Sequence, residues 1–141
     1  MALTFDKPWE GSGNHYTSVF QDEDGYHMYY HSVSGRSNSA SGQDWKSYTC
    51  YATSQDGVNW SRPSLGLYEF QGSKKNNIVF PGPFGSGDGV LLFPYPNTRP
   101  GAPREHRYLA PGARVQRTKD GEVIRLFLFA SSDRVRWRQV S

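Results

Sequence analysis

The chain carries one short strand–turn–tryptophan motif twice, and this repetition constrains its fold more than any other feature. The first copy, YATSQDGVNW, covers residues 51–60, and a shorter second copy, FASSDRVRW, covers residues 129–137. Asp56 and Asp133 are 77 residues apart, and placing one on the other also superimposes three further pairs: Ser54 on Ser131, Val58 on Val135, and Trp60 on Trp137. A repeated strand–turn unit predicts a fold built from repeated β elements.

The residue types in the motif indicate that it forms a corner. An Asp side chain accepts hydrogen bonds from nearby backbone N–H groups, and Gly57 tolerates a positive φ without steric cost. The Trp that closes the motif lies across the turn and buries a large apolar area. The second copy has Arg134 in place of the glycine, which costs about 1–2 kcal/mol if φ is positive there, unless the turn is of another type. Asp56 and Asp133 are therefore interpreted as structural residues.

Short apolar segments separated by turn residues indicate an all-β fold. The chain contains 9 tyrosines, 8 phenylalanines and 4 tryptophans, which favour pleated sheets, and 15 glycines and 9 prolines, which favour the turns between strands. Strands are predicted at residues 16–20, 26–32, 48–54, 76–80, 90–95, 106–110 and 124–131. Four antiparallel strands per repeat is the content of a propeller blade. We therefore predict one partial, open β-propeller domain of about two blades, residues 1–85 and 86–141; a small β-sandwich of two facing repeats is the alternative.

The segment Ile124–Ala130 is almost wholly apolar and predicts a strand that needs cover on both faces. Two blades cannot close a ring, so we predict an uncovered apolar surface that associates with the remaining blades or with another copy. No segment approaches the roughly 18 apolar residues of a spanning helix, so no membrane contact is expected. The net charge of +3 is small and no recognised binding motif accompanies it, so no nucleic-acid partner is expected.

Several segments of the chain point to one family: DKPWEG, YHMYYHS, CYATSQDGVNWSRPSLGLYEFQGSKKNNIVFPG, RYLA and FLFASSDRVRW. Together they resemble the five-bladed β-propeller glycoside hydrolases, the broad group of invertases, levansucrases and arabinanases, and above all its uncharacterised branch. The resemblance extends from about Phe5 to Trp137 and is most specific from Tyr51 to Gly82. It implies five blades around a central funnel, hydrolysis of O-glycosyl bonds in carbohydrate, and acidic residues at the starts of inner strands. The chain corresponds to about two of these blades, a fragment of the full enzyme.

The second repeat departs from this pattern. Relatives carry a His-Asn-Phe stretch that opens the inner strand of the second blade and an Asp near its end, whereas this chain reads GDGVLLFPYPN, with Tyr95 or a neighbour in place of the Asp. The departure puts hydrolytic activity in question. The alternative function is a non-catalytic carbohydrate-binding or assembly module.

Glycoside hydrolysis requires two carboxyl groups beside the scissile bond. Glu10 in PWEG and Asp88 in GSGDGV lie just before predicted inner strands, and both are predicted as catalytic candidates. A solvated loop acid and a turn residue are the respective structural alternatives.

Four residues are predicted to contact carbohydrate. Trp9, His15 and Tyr16 form a candidate sugar platform, and Arg36, in a Gly/Ser-rich loop, is a candidate donor to sugar hydroxyls. Packing between blades is the alternative for the aromatic residues, and a solvated side chain is the alternative for Arg36.

Neither a metal site nor a cofactor is expected. His27 and His31 share one strand face, but the strand rise separates them by about 13 Å, too far to bind one ion. The single cysteine, Cys50, cannot form an internal disulfide and is predicted to be a buried, inert thiol. The first residues, MALTFDKPWE, lack a secretory leader, so a cytoplasmic location is expected if Met1 is the native start.

Overall fold

The computed structural model describes residues 3–11, 13–34, 46–82 and 91–141, with the backbone alone at 13–15 and 115–117. Within these ranges the chain forms two antiparallel β-sheets and a short 3₁₀ turn at Arg104–His106. The all-β prediction is therefore confirmed. The described strands form no closed sheet, so the propeller remains a prediction, and the predicted boundary at residues 85 and 86 lies outside the described ranges.

The first sheet is a four-stranded meander whose strands follow one another in chain order. Its strands are β1 (Gly13–Asp22), β2 (Gly25–Ser34), β3 (Lys46–Ser54) and β4 (Ile78–Pro81). β1 and β2, which contain the predicted strands 16–20 and 26–32, form a hairpin in which Asp22 pairs with Gly25. The Asp22 carboxylate accepts the Asp24 N–H at 2.9 Å, and Gly25 has φ +121°, which residues with a Cβ rarely adopt. The turn chemistry therefore sets the register of the hairpin.

The second sheet repeats this order with an interrupted first strand. β5 (Leu91–Leu92) and β6 (Tyr95–Pro96) both pair with β7 (Tyr108–Thr118), which pairs with β8 (Gly121–Ser131), which in turn pairs with β9 (Arg138–Gln139). β7 begins at Tyr108 rather than at His106 because the 3₁₀ turn precedes it. Tyr108 pairs with Ser131 as Tyr26 pairs with Ser54, so β7 and β8 are the counterparts of β2 and β3.

The first corner, residues 54–60, is held by the side chain of Asp56. Its Oδ1 accepts the N–H of Val58 at 2.8 Å and the N–H of the following residue at 2.7 Å. Gly57 has φ +74°, and its carbonyl accepts the indole N–H of Trp60 at 3.2 Å. The tryptophan therefore folds back over the turn, as its position in the motif predicts.

The second corner, residues 131–137, reproduces these bonds. Asp133 Oδ1 accepts the N–H of Val135 at 3.1 Å and the N–H of the following residue at 2.8 Å. Arg134 also has φ +74°, and its carbonyl accepts the indole N–H of Trp137 at 3.0 Å. The predicted repeat is confirmed at the level of individual hydrogen bonds, and Arg134 keeps the turn type at the cost of a left-handed backbone.

Alternation along β2 and β3 gives the first sheet two buried faces. One face carries Met28, Tyr30, Cys50, Ala52 and Ile78 and is covered mainly by the N-terminal segment and the residues after the first corner: Leu3, Phe5, Trp9, Trp60, Tyr68 and Phe70. The other face carries Tyr29, Tyr51 and Val79, and the second corner packs on it through Val135 and Trp137. The two sheets therefore lie face to face, an arrangement that suits adjacent blades and also the sandwich alternative.

Cys50 lies inside the first of these faces and is fully buried. Burial raises the pKa of its thiol to about 12, so the reactive thiolate is scarce at neutral pH. The prediction of a buried thiol is confirmed.

β7 and β8 extend past their neighbours as a two-stranded ribbon. β5 pairs with Gly112 and Ala113, and β9 pairs with Phe129 and Ala130, so neither strand reaches the distal part of the ribbon. Ile124 and Leu126 are 71% and 78% exposed. The apolar segment forms the predicted strand, but the described residues do not bury the apolar side chains at its distal end.

Candidate functional site

Tyr16 is an exposed aromatic residue in a strained conformation on β1. The pairing register shifts between His15 and Thr17, which makes Tyr16 the extra residue of a β-bulge. Its φ is +58° and its exposed fraction is 66%. A left-handed backbone costs a residue with a Cβ about 1–2 kcal/mol, so the surrounding structure must hold Tyr16 in place.

Tyr16 belongs to an aromatic surface at the junction of the two sheets, which we define as Tyr16 and Phe93. The Tyr16 ring meets Phe93 edge-on with centroids 6.1 Å apart, and it lies 6.5 Å from the ring of His31. Phe93 follows β5, and β1 lies beside β6, so the first strands of both sheets converge here. The sequence pattern indicates Tyr16 but not Phe93, because only the packing of the two sheets brings Phe93 to this position.

Glu10 lies near the end of the N-terminal segment, residues 3–11, and its side chain is fully buried at 0% exposure. Its Oε1 accepts hydrogen bonds from the Tyr30 hydroxyl at 2.6 Å and from Arg62 Nε at 2.7 Å. Its Oε2 accepts the Lys7 N–H at 2.9 Å and Arg62 Nη2 at 3.1 Å. These contacts anchor the N-terminal segment to the first sheet. The catalytic role of Glu10 stays a prediction, and in this arrangement a substrate would have to displace Arg62 to reach the carboxylate.

Trp9 lies beside Glu10 and has both a polar and an apolar partner. Its indole N–H donates to Asn77 Oδ1 at 2.7 Å, and its ring packs edge-on against Phe70 at 6.2 Å. Asn77 is itself buried and donates to the Tyr30 hydroxyl and the Tyr51 carbonyl, both at 2.7 Å. The strand predicted from residue 76 therefore begins two residues later, because Asn76 and Asn77 hold the approach to β4 with their side chains.

A cleft of about 200 Å³ opens next to Trp9. Its wall is formed chiefly by three cationic residues, the indole and two amides: Lys7, Arg62, Lys75, Trp9, Asn76 and Asn77. Neither Asp nor Glu lines this cleft. The cleft therefore has the polar and aromatic groups of a binding site but no carboxyl group for acid–base catalysis.

A polar cluster joins the second corner to the hairpin of the first sheet. Arg134 Nη1 lies 2.8 Å from Asp22 Oδ2, and Arg134 Nη2 lies 2.5 Å from Asp24 Oδ2. Asp22 also accepts the Tyr108 hydroxyl at 2.7 Å, and His27 Nε2 lies 2.8 Å from its other oxygen. Because an ionised carboxylate only accepts hydrogen bonds, the neighbouring His27 nitrogen is the donor.

The electrostatics of this cluster follow from partial burial and pairing. Burial opposes ionisation of Asp22, but hydrogen bonds from Tyr108 and His27 outweigh it and hold the pKa of the carboxyl well below its ordinary value. Burial raises the pKa of the Tyr51 hydroxyl, which lies 2.6 Å from His27 Nδ1, to about 12. The cluster therefore carries an ionised Asp and neutral tyrosines at physiological pH.

The remaining sequence-predicted site residues fall largely outside the described parts. Asp88 and Arg36 lie outside the described ranges, and of His15 only the backbone is described, paired with His31. The described residues contain no group of three or more His, Cys, Asp or Glu able to hold a metal ion. The same part of the chain contains no helix of the length and apolarity needed to cross a bilayer.

Comparison with known proteins adds no relative: the chain matches no family model, no curated protein and no solved structure.

Proposed function

We propose that the chain is part of a glycoside hydrolase-like protein that acts on O-glycosyl bonds and contacts carbohydrate at the aromatic surface. The observation that carries this proposal is the exposed Tyr16 ring, held at φ +58° beside Phe93 where the first strands of both sheets converge. Backbone strain in a bulky residue that remains exposed is typical of functional positions. An exposed aromatic ring suits the apolar C–H face of a sugar.

The proposed chemistry places binding and catalysis on different residues. Two carboxyls about 5–5.5 Å apart retain the anomeric configuration, and a separation of roughly 6.5–9.5 Å inverts it. Glu10 is enclosed by Arg62 and Tyr30, and Asp22 is engaged by Arg134 and Tyr108. Asp88 is therefore the stronger catalytic candidate of the two predicted acids, and in the proposed propeller a second carboxyl would come from another blade.

The test combines binding and turnover on the full chain. Tyr16→Ala and Phe93→Ala should each weaken binding to an array of neutral oligosaccharides at least fivefold. Val19→Ala, a change at an exposed apolar residue of the same strand, is the control and should leave binding unaltered. Wild-type affinity in both aromatic variants would contradict the proposal.

Turnover of an aryl-glycoside panel then separates the enzyme from the alternative, a non-catalytic carbohydrate-binding module. In a preparation that turns over a substrate, Asp88→Asn should lower kcat without changing the melting curve, and Glu10→Gln tests the second acid. Retained affinity without turnover would favour the binding module.

The uncovered ribbon favours an assembly role beside sugar binding. Ile124 and Leu126 expose most of their apolar surface, and such surfaces mark association sites when they form a contiguous patch. We therefore expect the chain to self-associate or to bind the remaining blades. Light scattering at tens of micromolar tests this: a monodisperse monomer that binds no hydrophobic dye and melts cooperatively would exclude it.

A further inference from the structure

The cleft beside Trp9 carries an excess of positive charge. Three cationic residues line it, and no acidic residue does. Two carboxylates pair with these cations: Glu10 is paired with Arg62 Nε at 2.7 Å, and Asp6 lies 3.2 Å from the Lys7 ammonium. Three cations against two anions leave one positive charge without a partner.

Lys75 carries that charge. Its side chain is exposed and makes no ion pair among the described residues, whereas Arg62 is bound to Glu10 and also lies 3.4 Å from Asp6. The Lys7 ammonium shares Asp6, which is itself 56% exposed on its side chain. A cleft with a rigid wall and one unpaired ammonium attracts an anionic group more strongly than the open surface does.

The other groups of the wall are those that hold a sugar ring. Trp9 is fixed by its hydrogen bond to Asn77 and by its contact with Phe70, so its ring is preorganised. Asn76 is buried and oriented by its bonds to the Tyr68 and Ser73 carbonyls. Aromatic groups with a few fixed polar groups are typical of small-molecule sites.

We propose that this cleft binds a sugar residue that bears a carboxylate, a uronic acid, with the ring against Trp9 and the carboxylate paired to Lys75 and Lys7. This inference rests on the proposed carbohydrate function and names its substrate class. The cleft positions substrate and takes no part in bond cleavage, since it contains no carboxyl group.

Titration calorimetry with trigalacturonate and with the neutral trisaccharide of galactose tests the proposal on the full chain. Trigalacturonate should bind at least fivefold more tightly, and its advantage should shrink as salt is raised. Lys75→Gln should reduce trigalacturonate affinity two- to fivefold and leave the neutral sugar unaffected. Lys74→Gln is the matched control, because Lys74 is the exposed neighbour that does not line the cleft.

Three results would overturn the inference. The first is equal affinity for the acidic and neutral sugars, and the second is the same loss in both lysine variants. The third is full displacement of trigalacturonate by an equal concentration of inorganic phosphate, which would indicate an anion site that does not recognise sugar. If neutral sugar binding still depends on Tyr16, the proposed function stands while this inference fails; if neither sugar binds, both fail.

Discussion

The two corners have the same backbone and different side chains at their left-handed position. Gly57 and Arg134 both adopt φ +74°, and in each corner an Asp caps the turn and a Trp folds back over it. Glycine adopts this conformation without steric cost, whereas arginine pays about 1–2 kcal/mol. The two corners can therefore share one backbone conformation although the residue at the left-handed position differs.

The difference is explained by what each corner faces. A Cβ at Gly57 would lie 3.4 Å from the Tyr26 ring, within its own sheet. Arg134 instead reaches the other sheet: its guanidinium pairs with Asp22 and Asp24, and its carbonyl accepts the Tyr29 hydroxyl at 2.9 Å. Ion pairing across the sheets offsets the backbone strain. The second corner therefore joins the two sheets, whereas the first corner covers the core of its own sheet.

Removing the tryptophans should give the largest effects and should rank the corners. Trp60 packs on one cluster, whereas Trp137 packs on both clusters that join the sheets. Large aromatic truncations in a core cost about 3–5 kcal/mol. We expect Trp60→Ala near the lower end and Trp137→Ala near the upper end, measured by urea unfolding with circular dichroism. A loss under about 1 kcal/mol for Trp60→Ala would show that the first corner does not cap a core.

Arg134→Gly should make the second corner like the first and should still destabilise the protein. Breaking a buried ion pair costs at most about 3–5 kcal/mol, the Arg134 pairs are only partly buried, and relief of the left-handed strain returns about 1–2 kcal/mol. Asp22 keeps Tyr108 and His27, so we expect a net loss of about 2 kcal/mol in urea unfolding. Arg136→Ala is the control, since its side chain is 71% exposed and should cost less than about 0.5 kcal/mol. Greater stability in Arg134→Gly would mean that strain outweighs the ion pairs.

Much of the fold could be predicted from the sequence because its signals are local. The Asp turns, the glycine of the hairpin and the alternation around Tyr29 and Tyr30 each involve residues a few positions apart. The sequence therefore predicts β2 and β3 closely. It misses the starts of β4 and β8, both ends of β7, the break between β5 and β6, the short strand β9 and the bulge at Tyr16. A single extra residue changes the register without changing the apolar pattern.

Much of the candidate site could not be predicted because its contacts are long-range. Trp9 and Asn77 are 68 residues apart, and Asp22 and Arg134 are 112 apart. One signal of the inter-sheet cluster was present in the sequence, namely the arginine where the repeat calls for glycine. It indicated strain, but only the packed sheets identify the carboxylates that compensate for it.

Acid should weaken the ion pairs that join the second corner to the hairpin. Asp22 has a folded-state pKa well below its ordinary value of 3.8, so its contribution is present above that value and is lost as the pH falls towards the folded pKa. Unfolding free energy should therefore begin to fall below about pH 5, by on the order of 1–2 kcal/mol from this group.

Asp22→Asn is the matched variant for this pH series. It should be less stable than the wild type at pH 7, and the difference in unfolding free energy should narrow towards pH 3, because near pH 3.8 the wild-type Asp22 carboxyl gains a proton in the unfolded state while it stays ionised in the folded state. Urea midpoints at several pH values give the comparison. A constant gap would assign the acid sensitivity to other carboxyls, Asp56 and Asp133 among them, whose pKa values are also lowered.

Gly57→Ala should give the smallest effect, and it isolates the free-energy cost of the left-handed backbone. The added Cβ meets the Tyr26 ring at 3.4–3.5 Å, which is ordinary contact, so strain alone should appear, at about 1 kcal/mol. Gly57→Asn is the control, because asparagine tolerates this conformation better and should lose less. Urea unfolding of both variants measures the cost that Arg134 also bears. If alanine costs nothing at position 57, the second corner is unstrained, and the loss in Arg134→Gly is then the ion pairs alone.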